Sequence, residues 1–283
     1  MMTKINYHKP SLNENTFRKI SEFIISNFGI NISDNKKELL EYRLSKRLTA
    51  LNFSSFDQYV DYLFSEKGIL QEPGFLINEV STNKTDFFRE PKHFKVLINK
   101  ILPEISGIYK SGILPIWSAG CSSGEEAYTL AICLQNYRSA HGGPDYHIFG
   151  SDISQTVLSR AVRAIYPMSN SLPINQNDLK RFFLRSRDNV SSKIRVVKEL
   201  RDKVDFEYLN LMENEYKTPD IYPVIFCRNT LFYFENNTKS EIVRKLMTRL
   251  KPGGYLFISH TESLINMNME LKLIYPSVYQ KKG

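Results

Sequence analysis

Between residues 11 and 72 the apolar positions fall three and four apart. Phe17, Ile20, Phe23, Ile24 and Phe28 line one helical face, and Gly29 follows as a stop. Leu40, Leu44, Leu48 and Leu51 form the stripe of a second helix over residues 34–51, opening at Ser33 or Asp34. A third helix runs from Phe56 to Phe64, carries Tyr59, Tyr62 and Leu63, and closes near Gly68. Pro73-Gly74 then breaks the pattern. The spacing predicts a small all-α domain over residues 1–75, of about three to four helices.

From Leu114 onward the pattern changes. Short apolar runs predict strands at Ile113–Trp117, His147–Gly150, Val204–Tyr208, Val224–Cys227 and Tyr255–Ser259. Helical segments at Glu125–Tyr137, Ser154–Ile165 and Asn237–Leu250 alternate with them, the signature of an α/β sheet. Lys251-Pro252-Gly253-Gly254 reads as a stop and turn before the fifth strand. Leu271–Ile274 and Val278–Gln280, around Pro276, predict a terminal antiparallel hairpin. Residues 166–203 interrupt the alternation with a helix around Leu179–Leu184, a polar run Arg185–Ser192 and the alternating Ile194-Arg195-Val196-Val197, read as a small inserted β-subdomain. The expected organisation is residues 1–75, a linker 76–95 that contributes to a pocket, and an α/β domain 96–283.

The first strand ends in Ser118, Ala119 and Gly120. A polar turn from Cys121 to Gly124 follows, then Glu125 and Glu126 open a helix. Strand, glycine turn and helix build a nucleotide-sized pocket at the carboxyl edge of a sheet. The two acids suit the helix dipole but would repel a pyrophosphate, so the turn fits a cationic or zwitterionic nucleoside better than ATP or NAD. There is no G-x-x-x-x-G-K-[ST] and no full G-x-G-x-x-G. Asp152, just past the second strand, stands where a dinucleotide fold holds ribose hydroxyls. It could instead cap the helix that starts near Ser154, unless Ser154 supplies that cap.

Composition sets outer bounds. The 283 residues suit one large or two modest domains, with 42% hydrophobic and 24% charged residues. No apolar run approaches the length of a membrane span, and the first twenty residues show no secretory h-region. Cys121, Cys133 and Cys227 lack paired spacing and suggest reduced thiols in a cytoplasmic protein. The five histidines show no metal-ligand spacing, and no metal site is expected. A net charge of +8 favours acidic partners, whether nucleic acid, anionic membrane or an acidic protein surface.

Two further segments carry polar chemistry. Residues 78–94 are dense in donors, with Thr82, Asn83, Thr85 and Arg89, and Arg89 could hold a carboxylate bidentately. The plain alternative is a helix start capped by Thr85 or Asp86, with Phe87, Phe88 and Phe94 in the core. Residues 224–234 end a strand in Arg228-Asn229 and continue to Tyr233; the plain alternative is a turn with an aromatic cluster behind it.

Read together, TNKTDFFRE, WSAGCSSGEEAYTLAI, FGSDIS, FCRNTLFYF and LKPGGYLFISHTESL resemble the blocks of the CheR-type chemotaxis receptor methyltransferases, in the family's order and over nearly the whole chain. The resemblance implies a Rossmann-like S-adenosylmethionine-dependent methyltransferase sheet with a terminal antiparallel hairpin, an inserted β-subdomain and an all-α N-terminal domain. It implies S-adenosyl-L-methionine as cofactor, S-adenosyl-L-homocysteine as product, and methyl esters formed on glutamate side chains of receptor cytoplasmic helices. Carried over by position, cofactor contacts fall on Asn83, Thr85, Arg89, Gly120, Glu126, Asp152, Asn210, Leu211, Arg228 and Asn229. Arg89 would lie near the sulfonium and the cofactor carboxylate, Asp152 on the ribose, and Asn210 and Leu211 beside the adenine. Tyr233 falls beside the reacting centre, so Arg89 and Tyr233 are the expected catalytic pair. In some family members a receptor C-terminal peptide docks on the β-subdomain next to a glycine-rich loop. The corresponding stretch here, Ser186–Lys193, has no glycine.

A glutamate is ionised near pH 7, so the expected reaction needs no general base. That agrees with the absence of a Ser-His-Asp or Cys-His constellation. On helix 34–51, Lys36, Arg43 and Arg47 share a face, with Lys46 beside them, either a surface that steers an acidic substrate helix or a plain solvated face. The chain is expected to act as a monomer, without nucleic acid and without membrane insertion. A nucleic-acid methyltransferase would share the fold, but no Asn/Asp-Pro-Pro-aromatic tetrad and no aromatic-interleaved basic stripe is present. A non-catalytic module that binds the cofactor is the reading from a different class.

Overall fold

The computed structural model describes residues 10–110, 112–187, 192–265, 267 and 269–283. It divides into two compact units, Met1–Thr82 and Asn83–Gly283. The first unit is helical. α1 spans Glu14–Phe28, capped by the Asn13 side chain on Thr16 N and closed by Gly29 in the left-handed region. A 3-10 turn, Asp34–Lys36, leads into α2, Lys37–Leu51. α3, Phe56–Leu63, is capped by Ser55, and α4, Glu66–Gln71, by Ser65. Pro73 does not end the domain as expected. It opens another helix, α5, Pro73–Val80, because a proline at the first helical position gives up only an N–H that would be unpaired anyway.

Among the described residues of this unit the buried acid is Glu72, whose side chain is 0% exposed. Arg47 holds it bidentately, Nε at 2.6 Å and Nη2 at 2.7 Å, and Tyr59 donates its hydroxyl at 3.0 Å. Burial, and then Glu72, push the Tyr59 phenol well above its ordinary pKa. The Arg47 guanidinium also lies over the Phe75 ring.

In the second unit, α6 (Pro91–Val96), a π turn (Leu97–Ile101) and α7 (Leu102–Ile105) precede the sheet. β1 is Ile113–Ala119, α8 Glu125–His141, β2 Asp145–Asp152 and α9 Gln155–Arg163. The insertion contributes β3 (Ile165–Pro167), α10 (Gln176–Phe182), β4 (Phe183–Arg185) and β5 (Lys193–Val196). These pair antiparallel in the order β3-β5-β4. Within Ser186–Lys193, residues 188–191 lie outside the described residues. α11 (Lys198–Arg201), β6 (Val204–Tyr208), β7 (Tyr222–Phe226), α12 (Asn236–Thr248), β8 (Leu250–Phe257), β9 (Leu271–Tyr275) and β10 (Val278–Lys281) complete the unit.

The main sheet runs β6-β2-β1-β7-β8-β10-β9, with β10 antiparallel to both neighbours. This is the Rossmann-like methyltransferase sheet that the resemblance implies. Side chains alternate across it. Leu114 and Ile116 of β1 join one buried cluster, while Trp117 and Ala119 join the other with Phe149, Tyr216 and Tyr222. Lys251–Gly254 is not a turn ahead of a strand. It lies inside β8, where the pairing to β7 slips between Tyr222 and Val224 and the extra residues bulge out. β1 has β2 on one side and β7 on the other, so the carboxyl end of β1 is the topological switch point where such sheets open a crevice.

Removing one partner of a buried ion pair strands the other charge. Arg47→Ala is therefore expected to cost about 3 kcal/mol or more in chemical denaturation, whereas exposed Lys46→Ala stays within about 0.5 kcal/mol. Equal effects of the two would contradict the assignment of Arg47 to the interior.

Candidate functional site

The turn after β1 is set by two glycines. Gly120 has φ +77°, and a Cβ there would lie 2.4 Å from Thr230 Oγ1. Gly124 has φ +94°, and its Cβ would meet that of Ala161 at 2.9 Å. No other residue fits either position without displacing a neighbour. Gly120 N and Cys121 N both donate to the Ser151 carbonyl, at 2.7 and 2.9 Å, which ties the turn to the end of β2.

Asp152 is the last residue of β2. Its carboxylate accepts from Ser122 N and Ser154 N, both at 2.9 Å, while the Ser154 hydroxyl caps α9 on Val157 N. The cap therefore belongs to Ser154, and Asp152 braces the glycine turn. Burial pushes its pKa up, more than these backbone bonds pull it down. Leu209 N donates to the Asp152 carbonyl at 3.0 Å, which brings Asn210 and Leu211 beside it. Asn210 accepts from Met212 N through its side chain, and the Leu211 carbonyl accepts from Tyr216 and Lys245.

Arg228 follows β7 and is buried. Nη1 donates to Glu126 at 3.1 Å, Nη2 donates to the Arg89 carbonyl, and the same Nη2 lies 3.3 Å from the Glu90 carboxylate. Ser118 donates to the other Glu126 oxygen at 2.7 Å. Burial raises the Glu126 pKa, opposed by Arg228 and Ser118. Arg228 Nε is buried without a hydrogen-bond partner. Glu125 is committed to Ser123 at 2.7 Å. The two acids at the start of α8 are thus held by neighbours, Glu126 on the Arg228 side.

The segment 83–90 is irregular, not a capped helix start; the helix begins at Pro91 with Glu90 ahead of it. Phe88 and Glu90, on either side of Arg89, both have φ 54°. Such conformations are costly for residues with side chains and cluster at functional sites. Packing enforces them. Phe87 is fully buried against Tyr166 and Phe183, Phe88 N donates to Thr129, and Ser122 donates to the Asn83 carbonyl at 3.0 Å. Thr85 is half-buried, as is Arg89, whose Nη1 donates to the Lys84 carbonyl at 2.9 Å.

Glu90 ends the TNKTDFFRE block without being among the expected site residues, yet it is the hub. It accepts from Ser259 Oγ at 2.8 Å and from Asn229 Nδ2 at 3.2 Å, and Asn229 also donates to Ser259 at 2.7 Å. Burial pushes the Glu90 pKa up, but these bonds and the Arg228 charge outweigh it and hold it below the ordinary value. Glu90, His93 and His260 also place ligand-type atoms within 4.8 Å of one another, which the histidine spacing did not foretell. A cation there would share the carboxylate with the Arg228 guanidinium.

Asn229, at φ 56°, turns the chain into the 3-10 turn Leu231–Tyr233, where Tyr233 packs on Phe232 with ring centroids 4.2 Å apart. Asn83, Thr85, Arg89, Gly120, Glu126, Asp152, Asn210, Leu211, Arg228, Asn229 and Tyr233 all lie in the second unit. The expected basic face lies in the first. Lys36 and Lys46 are exposed there, and Arg43 donates to the Val80 carbonyl and to Thr82. Arg47 does not join that face, contrary to expectation, because its guanidinium is held by the buried Glu72 carboxylate.

Residues 83–279 match the family described as CheR methyltransferase, SAM binding domain, and residues 15–80 match CheR methyltransferase, all-alpha domain. The chain is 36% identical to a chemotaxis protein methyltransferase of Borreliella burgdorferi, over 98% of this chain and 99% of that one. It is 34% identical to chemotaxis protein methyltransferases of Salmonella typhimurium and Escherichia coli, over 95% of this chain and 91% of each relative.

His93, 1% exposed, yields a pH prediction. Burial first, then the charges of Arg228 and His260, lower its pKa to about 3. The unfolded chain binds a proton at this histidine below about 6.5 and the folded chain does not. Stability therefore falls as pH drops from about 6.5 toward about 3, by up to about 2 kcal/mol between pH 6.5 and 5. Denaturation of His93→Leu over that range should show a correspondingly shallower slope; an unchanged slope would contradict a neutral buried imidazole.

Proposed function

The chain belongs to the CheR methyltransferase family and uses S-adenosyl-L-methionine, and on that premise we propose that it methylates glutamate side chains on the cytoplasmic helices of chemotaxis receptors. The observation that carries this reading is the convergence of Asp152, Arg228 and the strained segment around Arg89 on the switch point of the sheet. The donor set suits the cofactor. Asp152, braced by two backbone N–H groups, has lone pairs left for ribose hydroxyls, and Asn210-Leu211 adjoin it on the adenine side. The buried, unpartnered Arg228 Nε is a donor suited to a carboxylate. Asn83, Thr85, Glu126 and Asn229 would line the same crevice, with Asn83, Glu126 and Asn229 tied in place by the bonds described above.

When bound, the cofactor supplies a sulfonium methyl group, which passes to a carboxylate oxygen as the sulfur–carbon bond breaks and S-adenosyl-L-homocysteine remains. The chain's own residues need move no proton, because the accepting glutamate is already ionised. Their work is orientation and exclusion of water, which can supply several kcal/mol. Arg89, fixed between two left-handed residues, holds the carboxyl groups, and Tyr233 aligns the acceptor with the methyl.

Acidic receptor helices would be steered by Lys36, Arg43 and Lys46. Arg47 no longer belongs to that set, so a charge reversal there reports on stability rather than on binding. The protein is read as a cytoplasmic monomer that binds no nucleic acid. Among the described residues no helix is long and apolar enough to cross a membrane.

With methyl-labelled cofactor and receptor cytoplasmic fragments, base-labile methanol release should appear; label retained on RNA or DNA instead would overturn the substrate class. Arg89→Ala and Tyr233→Phe should lower turnover by about 10- to 100-fold with the thermal midpoint preserved. Full activity of both would remove their roles. Arg43→Glu with Lys46→Glu should weaken receptor binding most at low salt; equal binding at low salt would reject the steering surface.

A further inference from the structure

Glu262 lies in the loop after β8, just beyond Ser259 and His260, and its side chain is buried. One oxygen accepts from Phe232 N at 3.1 Å and the other from Ser259 N at 2.8 Å. Its partners are backbone N–H groups, and Lys239 acts on it only through its charge. A buried carboxylate without a bonded cation is costly, and burial indeed raises its pKa. Such a group persists where its geometry is needed.

The need is local. The 3-10 turn Leu231–Tyr233 begins with no side-chain cap from Thr230. Its leading N–H groups have no acceptor within the turn itself. Glu262 supplies the missing acceptor from across the loop. It also takes the backbone N–H of Ser259, whose hydroxyl donates to Glu90 and accepts from Asn229. Ser259 thus joins the carboxylate under Tyr233 to the carboxylate under Arg89. We propose that Glu262 is a positioning residue for methyl transfer, holding the turn that presents Tyr233; this rests on the role given to Tyr233 above.

Gln is isosteric but presents an amide NH2 where one backbone N–H must be accepted, so it can satisfy at most one of the two bonds. Asp keeps the charge but is one methylene too short to bridge Phe232 N and Ser259 N. The full chain is assayed with labelled cofactor and receptor fragment, alongside calorimetric binding of S-adenosyl-L-homocysteine, for Glu262→Gln, Tyr233→Phe and the double variant. Glu262→Gln should lower kcat by about tenfold while the Kd for S-adenosyl-L-homocysteine stays within about twofold. The double variant should be no slower than the slower single variant, within about twofold, because both substitutions remove one function. If Glu262→Gln does not fold, Glu262→Asp is scored by the same criteria.

Unchanged kcat, losses that multiply in the double variant, or a parallel loss of product binding would overturn the proposal. Full activity of Tyr233→Phe would instead overturn the role of Tyr233, and this inference with it. Loss in Tyr233→Phe with none in Glu262→Gln would overturn the positioning role alone.

Discussion

A buried guanidinium must keep its partners, and Arg228, itself at the end of β7, has partners on two other pieces of chain. It reaches Glu126 at the start of α8, the Arg89 carbonyl and the Glu90 carboxylate. Removing any one of them would leave charge or donor groups unpaired in a low-dielectric interior, a loss of several kcal/mol. This one side chain therefore holds the end of β7, the helix after the glycine turn and the segment before α6 together. The left-handed conformations at Phe88, Glu90, Ser122 and Asn229 lie on or beside those pieces. Each is unfavourable alone, and the ion-pair and hydrogen-bond network around Arg228, with Phe87 in the core, keeps them in place.

The same network explains why the chemistry can be simple. A carboxylate nucleophile needs alignment more than activation, and alignment comes from backbone that cannot relax. Ser259 extends the network outward, bonding Glu90 through its hydroxyl and Glu262 through its N–H. The two groups proposed to act on the reacting atoms, Arg89 and Tyr233, are thereby presented from segments joined by one short loop.

Much of this was readable from local pattern. The strand at Val204–Tyr208 and the stop at Gly29 follow directly from spacing, and the glycine turn with Asp152 marks the crevice, because each depends on residues close together in the chain. What pattern could not show is pairing at a distance. Arg47 reads as part of a charged face because Glu72, its partner, sits two helices later. Glu90 and Ser259 meet across 169 positions, which leaves no periodic trace. Pro73 and Lys251–Gly254 misled for another reason. Proline can begin a helix as well as end one, and glycines can sit in a strand bulge as well as in a turn. Local chemistry allows both outcomes, and tertiary packing selects one.

Arg228 binds the segment 83–90 at the end of β7, which would make that segment part of the cofactor site. Amide hydrogen exchange with and without S-adenosyl-L-homocysteine tests this most directly. The ligand should increase protection at residues 83–90 together with 120–124, 152–154 and 209–211. Protection confined to the glycine turn and Asp152, with 83–90 exchanging as in the free protein, would contradict it.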